Sequence, residues 1–300
     1  GVEVVASDVS EDLRRLRLAS LGRPSEVEFL KLDVTRTDDV VAAVAERGIT
    51  HVVHLAGLQV PFCAANPPLG AMVNVVGTVN VFEAVKRAGR AVGLAYASSA
   101  AVYGASAAYS AGLVSDDSAL APDSHYGVYK QANEGTARIY STSDGIGSVG
   151  LRPFVAYGLG RDQGMTSEPT KAMLAAAAGR PYHMRFGGNV LLTHAEDCAR
   201  TFIAASRAAA GSGDAVVVNV PGRRAGIAEV AALIESIVPA AKGTITWEPK
   251  PLPVPALIGP PAIEAVIGST FNRDLRSGVA STIEQFRRAL EAGLVAEPEA

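Results

Sequence analysis

Short, nearly continuous apolar runs alternate along this chain with longer segments of helical periodicity. Val2–Ser7, Val27–Leu32, His51–Leu55, Val92–Ala97 and Ser148–Arg152 read as strands. Glu11–Leu21, Thr37–Arg47, Leu69–Ala88 and Ser124–Ser143 read as the helices between them. A run such as Val52-Val53-His54-Leu55 has no polar face to turn to water, so it needs cover on both sides. Strands of that kind, joined by helices, specify a parallel sheet with helices on both faces. The expected class is α/β with a doubly wound parallel sheet. In Leu69–Ala88 the residues Met72, Val75, Val76, Val79, Phe82 and Val85 recur at helical spacing, which marks a core or subunit-interface stripe.

After Pro153 the pattern loosens. Residues 158–189 are rich in Gly, Pro and polar groups, with one helix expected at Pro169–Ala178. Ala195–Ala210, Ile227–Val238 and Thr282–Leu294 read as helices, and Ala215–Val220 as a buried strand. Pro249–Pro261 is proline-rich and is expected to be irregular.

Composition excludes several classes. The 300 residues suit one large α/β unit or two small domains. A net charge of −3 offers no electrostatic case for a nucleic-acid partner. Cys63 and Cys198 make neither a disulfide framework nor a metal motif, so a reducing cytoplasm is the expected setting. No run of about 18 apolar residues marks a membrane span, and no basic-then-apolar leader opens the sequence.

Tyr126 and Lys130 stand four residues apart, and on a helix over 124–143 they share one face. An ammonium beside a phenol favours the phenolate and is expected to lower its pKa. A phenol tuned towards working pH can exchange a proton with a substrate hydroxyl. Upstream, Ser98-Ser99 follows the strand Val92–Ala97, where a serine hydroxyl can hold the same substrate oxygen. The plainer use of both serines is to satisfy backbone groups at the strand end. With eight tyrosines in the chain, Tyr-x-x-x-Lys alone is a weak signal.

The surrounding pattern is more specific. Ser98-Ser99-Ala100-Ala101-Val102-Tyr103-Gly104, then Tyr126-Gly127-x-x-Lys130-x-x-x-Glu134, resembles the extended short-chain dehydrogenase/reductases and, within them, the NAD-dependent epimerase/dehydratase group. Further matches follow in order to about residue 210: Val2–Asp8, Leu32-Asp33-Val34, His54-Leu55-Ala56-Gly57, Asn74-Val75-Val76-Gly77-Thr78, Leu151-Arg152-Pro153 with Tyr157-Gly158, and His194-Ala195-Glu196-Asp197.

The resemblance implies NAD as cofactor, with Tyr126 as the proton-transfer group and Lys130 as the residue that tunes it and holds the nicotinamide ribose. Ser99, four residues before Tyr103, is expected to orient the substrate rather than Ser98. Asp8 is expected to accept both adenosine ribose hydroxyls and so to favour NAD over NADP; capping the following helix is its simpler role. Asp33 and Val34 are expected beside adenine, although Asp33 could instead cap a turn. Leu55, Ala56 and Gly57 form the turn after the fourth family strand, and Asn74 is the cofactor-side structural asparagine. His54 and His194 are read as structural, and no His/Cys/Asp cluster has metal-ligand spacing.

The family opens with a strand, a Gly-x-x-Gly-x-x-Gly turn and a helix, whose backbone N–H groups hold the pyrophosphate. This sequence begins where the resemblance puts the second strand. The expected fold is therefore a Rossmann-type sheet lacking its first strand and helix, a truncation of about 25 to 30 residues. Weak NAD binding is expected of residues 1–300. Residues 1–157 are expected to form the dinucleotide-binding domain, with 190–220 returning to it. Residues 158–189 and 221–300 are expected to form a smaller C-terminal substrate-binding region. The resemblance also implies a homodimer paired through 69–88 and 124–143.

On the substrate side the sequence departs from the nucleotide-sugar epimerases. Their tract Arg-x-Phe-Asn is here Arg152-Pro153-Phe154-Val155, and their arginine four residues before the late histidine is here Val190. A valine cannot supply a charge-assisted phosphate contact. The expected substrate is therefore a smaller hydroxylated compound: a free sugar, a sugar acid or another secondary alcohol. Arg161, Arg180 and Arg185 are candidate anion binders but read more simply as solvated surface arginines. The expected activity is NAD-dependent oxidation or epimerisation at a secondary hydroxyl, assisted by Ser99, Tyr126 and Lys130. The alternatives are a nucleotide-sugar 4-epimerase and a non-catalytic dinucleotide-binding remnant; retention of both Tyr126 and Lys130 argues against the remnant.

Overall fold

The computed structural model describes residues 2–23 and 27–296. β1 (Val5–Asp8) leads through the short α1 (Arg14–Ala19) to β2 (Glu28–Lys31), and the two strands pair in parallel with Ser7 opposite Leu30. In α2 (Thr37–Ala45) Asp38 and Asp39 occupy the first turn, where carboxylates meet the positive end of the helix. After β3 (His51–His54) come three helical pieces: α3 (Val60–Ala65), α4 (Pro67–Ala71) and, beyond a π-helical turn at Met72–Val76, α5 (Gly77–Arg87). β4 (Gly93–Ala97), the two-residue β5 (Leu113–Val114), α6 (His125–Asp144) and β6 (Ser148–Arg152) follow.

The chain then builds a second, smaller part from β7 (Val155–Tyr157), α7 (Glu168–Ala177), β8 (Tyr182–Met184) and β9 (Asn189–His194). It returns to the large sheet with α8 (Ala195–Ala209) and β10 (Ala215–Asn219). β11 (Arg223–Gly226), α9 (Ile227–Ile237), β12 (Ile245–Trp247), β13 (Leu257–Ile258), α10 (Ile263–Ile267) and α11 (Leu275–Glu291) complete it.

The large sheet has the order β10-β6-β4-β3, all parallel. Side chains alternate across it as the pleat requires. Leu94 and Tyr96 face a core with Val40, Val81, Phe82 and Val85, whereas Ala95 faces Val149, Leu151, Phe202 and Val218 on the other side. Phe82 stacks on Tyr140 at 4.9 Å and meets Tyr96 edge-on at 5.9 Å. This is the α/β, doubly wound Rossmann-type class read from the sequence. β1 and β2 form a pair of their own, and among the described residues β1 has only β2 beside it and β3 only β4. No described strand occupies the place of the family's first one.

That division corrects one expectation. β3 is an edge strand rather than one buried on both faces: Val53 is 38% exposed and Leu55, just beyond the strand, 59%. No described element covers them.

The smaller part has its own three-stranded sheet, β11-β9-β7. It packs on α7, α9 and α11 through Tyr157, Met173, Leu192, Ile227, Ile234, Val279 and Phe286. β9 belongs to this sheet, so the chain rejoins the large one at α8. These short strands carry too few residues to show a period. The last helix starts at Leu275 rather than Thr282 because Asp274 caps it, accepting from Ser277 N at 2.9 Å. The 249–261 stretch is mostly irregular, but Leu257–Ile258 pairs with β5. Among the described residues, Pro67–Arg87 is long and apolar enough to cross a membrane by length and composition, with a mean hydropathy of 1.3. Half of that window is buried inside the protein, including Asn74, Thr78 and Asn80, as befits a core helix.

One buried ion pair joins α6 to β6. Arg152 donates from Nε to Glu134 Oε1 at 2.8 Å and from Nη2 to Oε2 at 2.7 Å, with side chains 5% and 8% exposed. Its Nη1 donates to the Tyr103 hydroxyl at 2.7 Å and to the Asp116 carbonyl at 2.8 Å. The Ser98 hydroxyl donates to the same Glu134 carboxylate. Burial works against the guanidinium charge, yet the bonds from Glu134 outweigh it and lift the Arg152 pKa. Arg152→Met should leave Glu134 buried and unpaired, at a cost of roughly 3–5 kcal/mol, whereas the double variant Glu134→Leu/Arg152→Met should recover most of it. Urea unfolding of the three proteins checks this; a single-variant loss below about 1 kcal/mol would contradict it.

Candidate active site

Ser124 caps α6, its Oγ accepting from Gly127 N at 3.2 Å, and so sets Tyr126 in the first turn with Lys130 one turn on. Lys130 runs inward. Its Nζ donates to the Ala97 carbonyl at 2.7 Å, at the end of β4, and lies 5.6 Å from the centroid of the Tyr126 ring. Burial pulls the Lys130 pKa from 10.5 down to about 8.

The adjacent serines diverge. Ser98 is buried and turns onto Glu134. Ser99 accepts from Ala101 N at 3.1 Å, the plain capping role, and its hydroxyl lies on the side of the Tyr126 phenol, whose charged form it favours. Ser99, Tyr126 and Lys130 thus meet where β4 ends and α6 begins.

The expected tuning of the phenol is corrected here. Burial raises the Tyr126 pKa above its ordinary value. The Ser99 hydroxyl and the positive charge of Arg161 pull it back down, and Cys63 adds to the rise. Lys130, itself drawn down to about 8, is already neutral where the raised phenol titrates, so its charge does not lower the phenol. Burial, helped by the Lys130 charge, pulls His54 down to about 3, so His54 is neutral and serves Thr78 at 3.0 Å. His194 likewise is structural, accepting from Glu196 N at 3.3 Å as the cap of α8.

The residues expected beside the cofactor follow the ends of β1, β2 and β3. Asp8 is exposed and accepts from Ser10 N at 2.9 Å. Asp33 accepts from Thr35 N at 2.9 Å and Thr35 Oγ1 at 2.8 Å, bonds that hold its carboxyl below the ordinary carboxylate range. Both acids therefore make turn contacts. The Val34 carbonyl accepts from Asn80 Nδ2 at 2.8 Å. Leu55, Ala56 and Gly57 form an open segment. A Cβ on Gly57 would fall 2.5 Å from Asn74 Oδ1, so glycine lets the backbone lie against that buried amide, with Lys130 Nζ at ordinary contact distance, 3.5 Å, from the same point. Asn74 is fully buried and spends its amide on Leu58, accepting from N at 2.9 Å and donating to O at 3.0 Å; a further bond reaches Cys63 Sγ. It shapes the 57–59 segment rather than offering a group to a ligand.

A nicotinamide ribose suits the Tyr126–Lys130 edge and the Gly57 approach, and an adenosine suits the exposed Asp8. The described residues include no glycine-rich turn for the pyrophosphate. Of the three arginines read as solvated, Arg185 is exposed and holds the buried Glu168 at 2.8 Å. Arg161 is not on the surface: it lies half-buried with its charge acting on Tyr126. Its position between Gly158, Gly160 and Gly164 was the available signal.

A strand-end serine beside a tyrosine and a lysine one helical turn apart, on a parallel sheet, defines a protein of the short-chain dehydrogenase/reductase class. The chain belongs to the NAD dependent epimerase/dehydratase family, whose sequence model matches residues 2–220. It is 31% identical over 163 residues to a UDP-glucose 4-epimerase of Mycolicibacterium smegmatis, covering 54% of this chain and 51% of that protein. The chain spans about half the length of the curated relatives it matches. Among solved structures, the Thermus thermophilus UDP-glucose 4-epimerase in complex with NAD superposes with a TM-score of 0.77 at 24% identity, over 96% of this chain and 92% of that one. A holo L-threonine dehydrogenase from Cupriavidus necator gives a TM-score of 0.75 at 20% identity, over 95% and 90%. NAD is the family's cofactor.

A Lys130 pKa depressed in the fold means that the unfolded chain binds more protons between pH 8 and 10.5, so stability should rise with pH across that window. Wild type should gain on the order of 3 kcal/mol over Lys130→Met from one end to the other, at about 1.36 kcal/mol per pKa unit. Urea unfolding of both proteins from pH 7 to 10.5 checks it; parallel curves would show that Lys130 titrates normally.

Proposed function

We propose that the protein is an NAD-dependent oxidoreductase or epimerase acting on a secondary hydroxyl of a sugar or sugar-derived compound. The observation that carries this reading is the convergence of Ser99, Tyr126 and Lys130 beside the open 55–57 segment. Ser99 holds the substrate oxygen. Tyr126, as the phenolate, takes the hydroxyl proton and, as the phenol so formed, returns it when the reaction reverses, while Lys130 and Gly57 border the nicotinamide ribose. Bound NAD supplies the hydride acceptor. Asp8 favours NAD over NADP, because a carboxylate repels a 2′-phosphate. The parts around the large and small sheets act as cofactor-binding and substrate-binding regions respectively, dividing near residue 157.

Val155 and Val190 support a substrate without a nucleotide diphosphate. Both lie in the core of the smaller part, 4% and 1% exposed, and present no polar group to a ligand. The second reading, a nucleotide-sugar 4-epimerase, draws on the relative of that activity. The fold likeness favours neither, since it extends to an enzyme named for L-threonine.

Tyr126→Phe, in a protein that carries the glycine-rich βα unit, should lower turnover by at least about 100-fold and leave NAD affinity within about twofold. Free aldoses, uronates and sugar acids set against UDP-glucose and dTDP-glucose, followed by NADH fluorescence and product chromatography, provide the substrate test. Near-normal turnover in the variant removes Tyr126 from the chemistry, and efficient turnover of nucleotide sugars alone selects the second reading.

Leu69, Met72, Val128 and Ile139 are exposed apolar residues on the α4–α5 and α6 segments. They fit a homodimer interface built from those helices, and sedimentation at micromolar concentration should give the dimer mass. A Val128→Glu/Ile139→Glu variant should sediment as a monomer; a wild-type monomer would count against this assembly.

A further inference from the structure

Arg161 is held inside the candidate site by a loop made for it. Gly158, Gly160 and Gly164 take φ values of 133°, 86° and 82°, in the region open to glycine. Arg161 N donates to the Gly158 carbonyl at 3.1 Å, and Nη2 donates to Thr166 Oγ1 at 2.8 Å. A Cβ on Gly164 would fall on Gln59 Oε1 and lie 3.6 Å from Arg161 Nη2, so Gln59, Thr166 and the guanidinium converge on one spot.

Among the described residues no carboxylate pairs with this guanidinium. Its Nε is buried and has no hydrogen-bond partner. Among the described residues Arg161 forms no ion pair, whereas the buried or half-buried Arg152 and Arg273 are matched with Glu134 and with Asp197 and Glu196. The neighbouring Asp162 pairs with Arg15 at 2.7 Å on the surface and reaches Arg161 through its charge alone, without a direct contact. A partly buried guanidinium with an idle N–H is unfavourable unless an anion meets it. Its planar fork suits a carboxylate. Gln59 follows the open 55–57 segment by two residues, which sets this spot beside the candidate site, and the charge of Arg161 reaches the Tyr126 phenol.

We propose that Arg161 sets substrate specificity by holding a carboxylate carried near the secondary hydroxyl that Ser99 and Tyr126 engage, which makes the substrate a hydroxy acid of the sugar-acid or uronate class. This rests on the reading of Tyr126 as the proton-transfer group. Gln59 and Thr166 orient the carboxylate, and Arg161 leaves the proton transfer itself to Tyr126.

Calorimetric titration of wild type, Arg161→Gln and Arg161→Lys with matched probes tests it: D-gluconate against D-sorbitol, D-glucuronate against D-glucose, and UDP-glucuronate against UDP-glucose. Wild type should bind the acid of each pair more tightly. Arg161→Gln should weaken the acids about 10- to 100-fold and the neutral partners less than about twofold, with partial recovery in Arg161→Lys. No acid preference in wild type, or an unchanged preference in Arg161→Gln, overturns the proposal. Equal losses for UDP-glucose and UDP-glucuronate also overturn it, by placing the arginine at the diphosphate. So does an Arg161→Gln variant that shifts only the pH profile of turnover and leaves the acid-to-neutral ratio intact, since Arg161 then serves Tyr126 alone. Arg161-dependent acid binding without NADH formation from any probe keeps this inference and sinks the oxidoreductase reading.

Discussion

The Glu134–Arg152 pair is the constraint on which the site depends. Glu134 lies one turn beyond Lys130 on α6, Arg152 ends β6, and Ser98 directly follows β4. One carboxylate therefore fixes the helix to two strands at once. Lys130 adds a second tie to the same strand end through Ala97 O. Between these anchors Ser99 has little freedom, and its hydroxyl is left on the Tyr126 side. Buried charge pairs gain little net stability over apolar packing, but breaking one is costly. Their use here is positional: the pair specifies how far α6 slides along β4.

The electrostatics follow from burial more than from neighbouring charges. Lys130, His54 and Tyr126 are all displaced towards their neutral forms, with desolvation the largest cause in each. A lysine near 8 is poised to exchange protons close to neutral pH, and a neutral His54 avoids adding a second buried cation. Burial lowers the Arg161 pKa too, but not far enough to discharge it. It stays charged in any environment the protein offers, so its cost is offset by a partner rather than by deprotonation. That asymmetry makes an unpaired arginine a sharper pointer to a ligand than an unpaired lysine.

Much was determined by the sequence alone. Apolar runs alternating with helical periods define the parallel sheet, because a strand with no polar face must be covered twice. β6 and α6 begin and end within a residue of their expected places, and in the fold Ser124 and Gly145 cap the two ends of the helix. The Tyr126–Lys130 spacing places both side chains on one helix face whatever surrounds them. What only the tertiary structure decided is what surrounds them. The direction of the Tyr126 shift, the commitment of Lys130 to Ala97, the turning of Ser98 and Ser99 to opposite sides and the inward course of Arg161 are set by elements distant in sequence. So are the pairings of β7, β9 and β11, strands too short to carry a period. Periodicity is a property of neighbours along the chain, whereas desolvation is a property of neighbours in space, and the chemistry of this site is governed by the second.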